Sequence, residues 1–426
     1  MFHRNGYLAW VLILLASVPL ASRADVVLEW NEIMLATLIG QSPVNEARLA
    51  AITQLAVFEA VNSINGEYRP YLGTIKAPRG ASADAAAVAA AHATLVHYVP
   101  ARTEELDRAR ARSLRRILDG PAKQDGIAVG RAAARALVKL REKDGSEPNE
   151  FYLPTSSRPG EWQLTAGCPA LGGVFLQWQD VLPFGIKRSG QFRVAPPPGL
   201  GSDKYAAAYN EVRKVGGVHS SERPQDRADV ARFYAAVLTI ATWNPVASQV
   251  AAAQGRSLSE NARALALLNM ALSDGLVAVF KVKYRDPFWR PETAIPAGGS
   301  DRNPKTPADP DFAPFVPTPC HPSYPSAHAS AGYAAQEILE RIYGGKNHLI
   351  NLSNPLVPGI ALQYRRFDEI TADIDDARVF GGIHFRFDQE AGASQGCRVG
   401  RYIYRHHLRP AYDRAHDDDR GKDCPR

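Results

Sequence analysis

The chain has 426 residues, 45% hydrophobic and 22% charged, which is an ordinary globular composition with enough apolar mass for a large core. The net charge of +6 is small and spread along the chain, so it gives no reason to expect a nucleic-acid partner. Length alone allows two or three domains.

Residues 1–24, "MFHRNGYLAWVLILLASVPLASRA", put Arg4 ahead of an apolar run from Tyr7 to about Ala21. Ser22-Arg23-Ala24 then offers small residues three and one positions before a cut. This is the pattern of a secretory signal peptide. An uncleaved anchor is the alternative, but the run is short for a span and no cysteine comes after it to carry a lipid. The expectation is a mature chain from about Asp25, exported to a periplasmic or external space, with no stable membrane insertion. Export permits disulfides among Cys168, Cys320, Cys397 and Cys424. None has metal-ligand spacing, and the sequence leaves the pairing open.

From Asp25 onward, helical periodicity dominates. "VVLEWNEIMLATLIG" and "EARLAAITQLAVFEAVNSI" repeat apolar residues three and four apart. Further helices are predicted over about 83–99, 101–119, 121–143, 203–215, 224–241, 257–281, 327–343, 370–384 and 387–407. Pro121 after Gly120 suits a helix start. Strand-like alternation is scarce. Two long irregular pieces, about 145–200 and 286–325, are rich in proline and are expected to wrap the helices or line a site entrance. The reading is an all-α fold of packed helical bundles. It is taken as one domain over 25–426, with an N-terminal half at 25–250 and a C-terminal half at 251–426.

Chemistry concentrates in three blocks of that second half. "KYRDPFWRP" spaces Lys283 and Arg290-Pro291. "YPSAHASAGY" carries Ser326, Ala327 and His328 into an amphipathic helix. "DDARVFGGIHFRFDQEAG" holds Arg378, His384 and Asp388. Three cations supply many donors, and arginine suits bidentate contact with tetrahedral oxyanions. A helix starting near Ser326 turns free amides and the positive end of its dipole toward an anion. One histidine could attack or ligate the central atom while the other exchanges protons with an oxygen. His384 and Asp388, four apart, are expected to share one helix face, with Arg378 just before that helix or in its first turn. Singly, each has a plainer reading: a surface cation, a satisfied histidine, an N-cap serine, a helix-surface aspartate.

The ordered blocks resemble the signature K-x6-R-P, P-S-G-H, S-R-x5-H-x3-D of the vanadium-dependent haloperoxidase and type 2 phosphatidic acid phosphatase superfamily. "FWRPETAI", "GGIHFRFD", "VLEWNEIMLATL", "QLAVFEAVNSINGEYRPYL" and "ATWNPVA" resemble its soluble bacterial haloperoxidases. The resemblance implies a vanadate cofactor held by Lys283, Arg290, Ser326, the Ala327 amide and Arg378. His384 would be the metal ligand, His328 the acid–base partner that helps hydrogen peroxide bind, and Asp388 the acceptor that orients His384. In a phosphatase of the superfamily, His384 would be the nucleophile and His328 the acid for the leaving group. The implied partners are hydrogen peroxide, a halide and small organic acceptors, with no nucleic acid and a homodimer as a candidate assembly. His321, seven residues before His328, matches a second histidine that bromoperoxidases carry where chloroperoxidases tend to have phenylalanine. It is read as an entrance residue biasing toward bromide or iodide, against the plainer reading of a solvent-touching loop histidine.

The chain departs from the signature in three ways. Ala327 replaces the usual glycine and keeps its amide. Ala377 replaces the serine before the arginine. "RFYAAVLTIATWN" lacks the aspartate that some relatives place against the acid–base histidine, which bears on peroxidase rate more than on vanadate binding. His92, His97, His406 and His407 are read as structural or as poor joint ligands.

Overall fold

The structure is a computed structural model that describes residues 25–237, 239–412 and 423–425, so the expected signal peptide lies outside the described residues. Thirteen α-helices and one hairpin are present among them. The first half holds α1 (Val26–Leu38), α2 (Pro43–Asn65), α3 (Ala83–Tyr98), α4 (Thr103–Arg115), α5 (Pro121–Arg141), α6 (Asp203–Val215), α7 (Gln225–Ala236) and α8 (Thr239–Ala253). The second holds α9 (Leu258–Arg285), α10 (Pro291–Ala294), α11 (Ala327–Tyr343), strands β1 (Lys346–Ser353) and β2 (Ala361–Arg366), α12 (Phe367–Phe380) and α13 (Arg386–His406).

Local chemistry sets many of these boundaries. Ser42, Ser82, Ser202, Ser257 and Ser326 each cap a helix by accepting an amide two or three residues inside it. Ser257 and Glu260 complete a reciprocal capping box. Pro43 and Pro121 begin α2 and α5, where a missing N–H costs nothing.

The 28-residue α9 is the central element. It is long and apolar enough to cross a membrane, but 94% of its most apolar window is buried within the protein. α2 packs on α9 from one side and α11 and α13 from the other, while α3 and α5 lie outside α2. Polar groups inside this core are paired: Asn269 and Asn244 exchange amide hydrogen bonds at 2.8 and 3.0 Å. Asp274 accepts the backbone amides of Phe184, Gly185 and Ile186 at 2.7–2.8 Å.

A stripe of glycines brings α13 against α11. A Cβ on Gly392, Gly396 or Gly400 would stand 2.5, 2.0 or 2.5 Å from the carbonyl oxygens of Ser326, Ser330 and Ala334. No side chain fits there, so the two helices pack backbone to backbone, with their N-termini side by side.

Several sequence-based boundaries shift. The helix expected over 370–384 is α12 and stops at Phe380, where Gly381 and Gly382 turn the chain; Gly382 has φ 77°. The helix expected over 224–241 is two, α7 and α8, with extended Val237 between them. The β-branched run around Val237, Thr239 and Ile240 weakens helix propensity there. The β1–β2 hairpin, antiparallel with Ile350 opposite Tyr364, is an addition to the all-helical expectation. The two irregular pieces fasten to each other through the Cys168–Cys320 disulfide and the bonds Trp162 N to Pro287 O and Val174 N to Cys320 O. Cys397 and Cys424 form the second disulfide.

Candidate active site

Each of the three sequence blocks reaches the same place from a different element. Lys283 sits in the last turn of α9, Arg290 precedes α10, His321 to Ser326 form the strap before α11, His328 sits in the first turn of α11, and Arg378 sits in the last turn of α12. His384 lies in the turn after α12, two residues before α13, and Asp388 is in the first turn of α13. His384 and Asp388 therefore do not share a helix face. They meet because Asp388 caps α13, accepting the Phe385 amide at 3.0 Å, which folds its carboxylate back onto His384. Arg378 belongs to the preceding helix rather than to the start of this one.

The hydrogen bonds fix most of these groups. The Lys283 ammonium donates to the carbonyls of Pro322 and Ser323 at 2.7 and 2.9 Å. Arg290 donates through Nε to His321 O at 2.9 Å and through Nη1 to Ile383 O at 2.7 Å. Its Nη1 is also 2.8 Å from His384 Nε2, and its Nη2 is 3.1 Å from His321 Nδ1. Arg378 donates through Nη1 to Tyr234 O at 3.0 Å, while its Nε has no partner among the described residues. Ser326 Oγ caps Ala329 N at 3.3 Å.

These contacts determine the tautomer of His384. An arginine can only donate, so His384 Nε2 accepts. Nδ1, 2.8 Å from Asp388 Oδ2, therefore carries the hydrogen. Both neighbours impose the same state: a neutral imidazole with its Nε2 lone pair turned toward the arginine.

Burial acts on every charge here. Lys283 is pushed well below the ordinary lysine value, first by burial and then by the charges of Arg290 and Arg378. Burial lowers Arg290 to about 9 and Arg378 to about 10. His321, His328 and His384 are all held well below the ordinary imidazole value, by burial first and then by the neighbouring cations. Burial raises Asp388 to about 6, against the opposing hydrogen bond of Ser323 and the charge of Lys283. Three buried cations face one buried carboxylate, so the natural complement of the site is a small anion. Among the described residues, no group of three or more His, Cys, Asp and Glu side chains is arranged to hold a cation.

His321 is half-buried, with its ring edge-on to Phe280 at 5.2 Å between centroids. His328 has no hydrogen-bond partner among the described residues, and every charge acting on it is a cation. Ala327 is only 8% exposed. Sequence reasoning missed Ser323, whose hydroxyl donates to Asp388 Oδ2 at 2.6 Å. It also missed Phe385 and Phe387, which stack at 5.1 Å and anchor the His384–Asp388 turn in an aromatic cluster with Tyr205 and Phe288. The alternation of aromatic and polar residues in "HFRFD" was the available signal for the latter.

Residues 263–412, a span that includes all of these site residues, match the family described as the VCPO second helical-bundle domain. That match is to the C-terminal part of the chain, the part that carries the three blocks. A likeness of fold to solved structures extends over most of the chain. The structure described as the first bacterial vanadium-dependent iodoperoxidase is 22% identical, with a TM-score of 0.76 over 91% of this chain and 97% of that one. Apo-type and holo-type bacterial vanadium-dependent chloroperoxidases, 17% and 18% identical, each give a TM-score of 0.68. They cover 86% and 87% of this chain and 95% and 94% of theirs. A comparison with curated protein sequences finds no match.

Proposed function

We propose that the chain is an exported vanadate-dependent haloperoxidase that oxidises bromide or iodide with hydrogen peroxide. The observation that carries this reading is the state of His384: Nδ1–H is committed to Asp388, and Nε2 keeps its lone pair 2.8 Å from Arg290, within the field of Lys283 and Arg378. A Lewis base inside a cationic shell suits an oxyanion whose central atom can accept a nitrogen ligand. The unpartnered Arg378 Nε and the amides at the start of α11 extend the same donor set.

Vanadate would be held by Lys283, Arg290, Ser326, the Ala327 amide and Arg378, with His384 Nε2 as its nitrogen ligand. When bound, it would supply a Lewis-acid centre that activates hydrogen peroxide toward attack by halide. His328, kept neutral by burial and then by the cations around it, would take a proton from hydrogen peroxide on a ring nitrogen. His321, fastened to Arg290, is proposed to bias the site toward bromide or iodide. The two disulfides support export to an oxidising compartment.

The test is bromination of monobromodimedone, and oxidation of iodide, by protein dialysed with and without orthovanadate. Vanadate-stimulated turnover is expected. Absence of stimulation with every halide would reject the reading.

A second reading, a phosphomonoester or lipid-phosphate phosphatase, draws support from two observations. His384 Nε2 is equally placed to act as a nucleophile, and His328 has no acidic partner among the described residues. Turnover of p-nitrophenyl phosphate, blocked by vanadate and without halogenation, would select it.

A further inference from the structure

We propose that Ser323 is a positioning residue for His384: its hydroxyl locks the Asp388 carboxylate in the orientation that fixes the imidazole tautomer, and so sets how tightly the site binds an oxyanion. The affinity half of this proposal rests on the oxyanion reading of the site, whereas the tautomer half stands on geometry alone.

Ser323 is fully buried on the strap between His321 and α11. Its Oγ donates to Asp388 Oδ2 at 2.6 Å. The same oxygen accepts Nδ1–H of His384 at 2.8 Å and the Phe385 amide at 3.0 Å. Asp388 Oδ1 has no partner among the described residues. Three donors therefore converge on one carboxylate oxygen and none on the other, and any rotation of the carboxylate gives up at least one of them.

Ser323 Oγ is also 3.4 Å from His384 Nδ1, so hydroxyl, imidazole and carboxylate form a closed triangle. Nδ1 is a donor, which leaves the hydroxyl hydrogen one useful acceptor, Asp388. Without the hydroxyl, Oδ2 keeps only the imidazole and one amide. The carboxylate then gains freedom to turn away from the ring, and one of the two contacts that hold the tautomer is weakened.

The backbone of Ser323 is secured independently. Its N–H donates to Phe288 O at 2.9 Å, and its carbonyl accepts Lys283 Nζ at 2.9 Å. Truncating the side chain leaves the strap and Lys283 in place, which separates positioning from folding. Removing partners one step out from a ligand typically costs 10–100-fold in affinity.

The experiment compares wild type with Ser323→Ala, using protein labelled with nitrogen-15 in its histidines. Long-range nitrogen–proton spectra report the His384 tautomer, and calorimetry reports orthovanadate and inorganic phosphate binding. Wild type is expected to show a single Nδ1–H tautomer. The alanine variant should show a mixed tautomer population and about 10-fold or greater loss of vanadate affinity. Ser323→Cys, nearly isosteric with a weaker donor, should fall between them, and it serves where alanine does not fold. An unchanged tautomer in the variant overturns the proposal, even if melting temperature or affinity falls. If wild type binds neither oxyanion, the site reading fails, and the tautomer spectra alone decide the role of Ser323.

Discussion

His384 is useful because its two neighbours agree. Arg290 can only donate to Nε2, and Asp388 accepts from Nδ1. Asp388→Asn breaks that agreement, since the amide offers a weaker acceptor or a competing donor. It should weaken orthovanadate binding about 10–100-fold, measured by calorimetry. The three site imidazoles, each lowered by burial and by the cations, also make stability depend on pH. Their contribution is fully present above the ordinary imidazole value and is lost as pH falls below it, because the unfolded state then takes protons that the folded state refuses. At pH 6.5, where a free imidazole is half protonated, His328 and His384 should be neutral in nitrogen-15 spectra of the protein without added anion. A half-protonated His384 at that pH would contradict the burial described. The charged members of the site were readable in sequence because their spacing is distinctive. Ser323 was not, since a serine near a proline looks like any turn residue. The His384–Asp388 spacing suggested contact through a shared helix face, whereas the contact arises from a capping turn.

The elements that carry these residues depend on close packing between α11 and α13. At Gly396, a Cβ would meet Ser330 O at 2.0 Å, so one helix must move. Gly396→Ala should cost about 1–3 kcal/mol in denaturant unfolding. It should also weaken oxyanion binding, because the same packing sets Ser326 beside Asp388, whose carbonyl accepts the Ser326 amide at 2.9 Å. α2 offers a different test. Glu46 is buried and raised to about 7 by desolvation, so its favourable contribution holds below about 4.5 and is lost as pH rises through 7. Glu46→Gln should stabilise the protein at pH 8 by on the order of 1–3 kcal/mol and converge with wild type below pH 4.5, read from melting curves. Helix existence was legible from periodicity, whereas the serine caps other than Ser326 emerged only with the structure. The hairpin was not: β1 and β2 are short, half-exposed and paired only with each other. The glycine stripe in "AGASQGCRVGRY" carries its signal at four-residue spacing, but the surrounding polar residues hide which face it belongs to.

At the scale of the whole molecule, two irregular segments that helical periodicity could only mark as loops matter to the site: the one at about 286–325 supplies Arg290, His321 and Ser323, and the one at about 145–200 fastens to it. The disulfide Cys168–Cys320 joins them across a sequence separation of 152 and lies next to His321, whose carbonyl holds Arg290. Cys168→Ser combined with Cys320→Ser should lower stability by about 2–4 kcal/mol and loosen oxyanion binding, measured by unfolding and calorimetry. Replacing Cys397 and Cys424 instead, far from Arg290 in the chain, should leave binding within about twofold. The sequence could not pair these cysteines, because pairing depends on how the loops wrap the bundle.

The central claim is that Lys283, Arg290, Arg378 and His384 converge on a single tetrahedral oxyanion. The most direct measurement is a crystal structure of the protein grown with orthovanadate. The predicted result is anion density bonded to His384 Nε2, with Lys283, Arg290 and Arg378 turned to its oxygens. Saturating vanadate with no density at His384, or with the anion bound elsewhere on the protein, would contradict it.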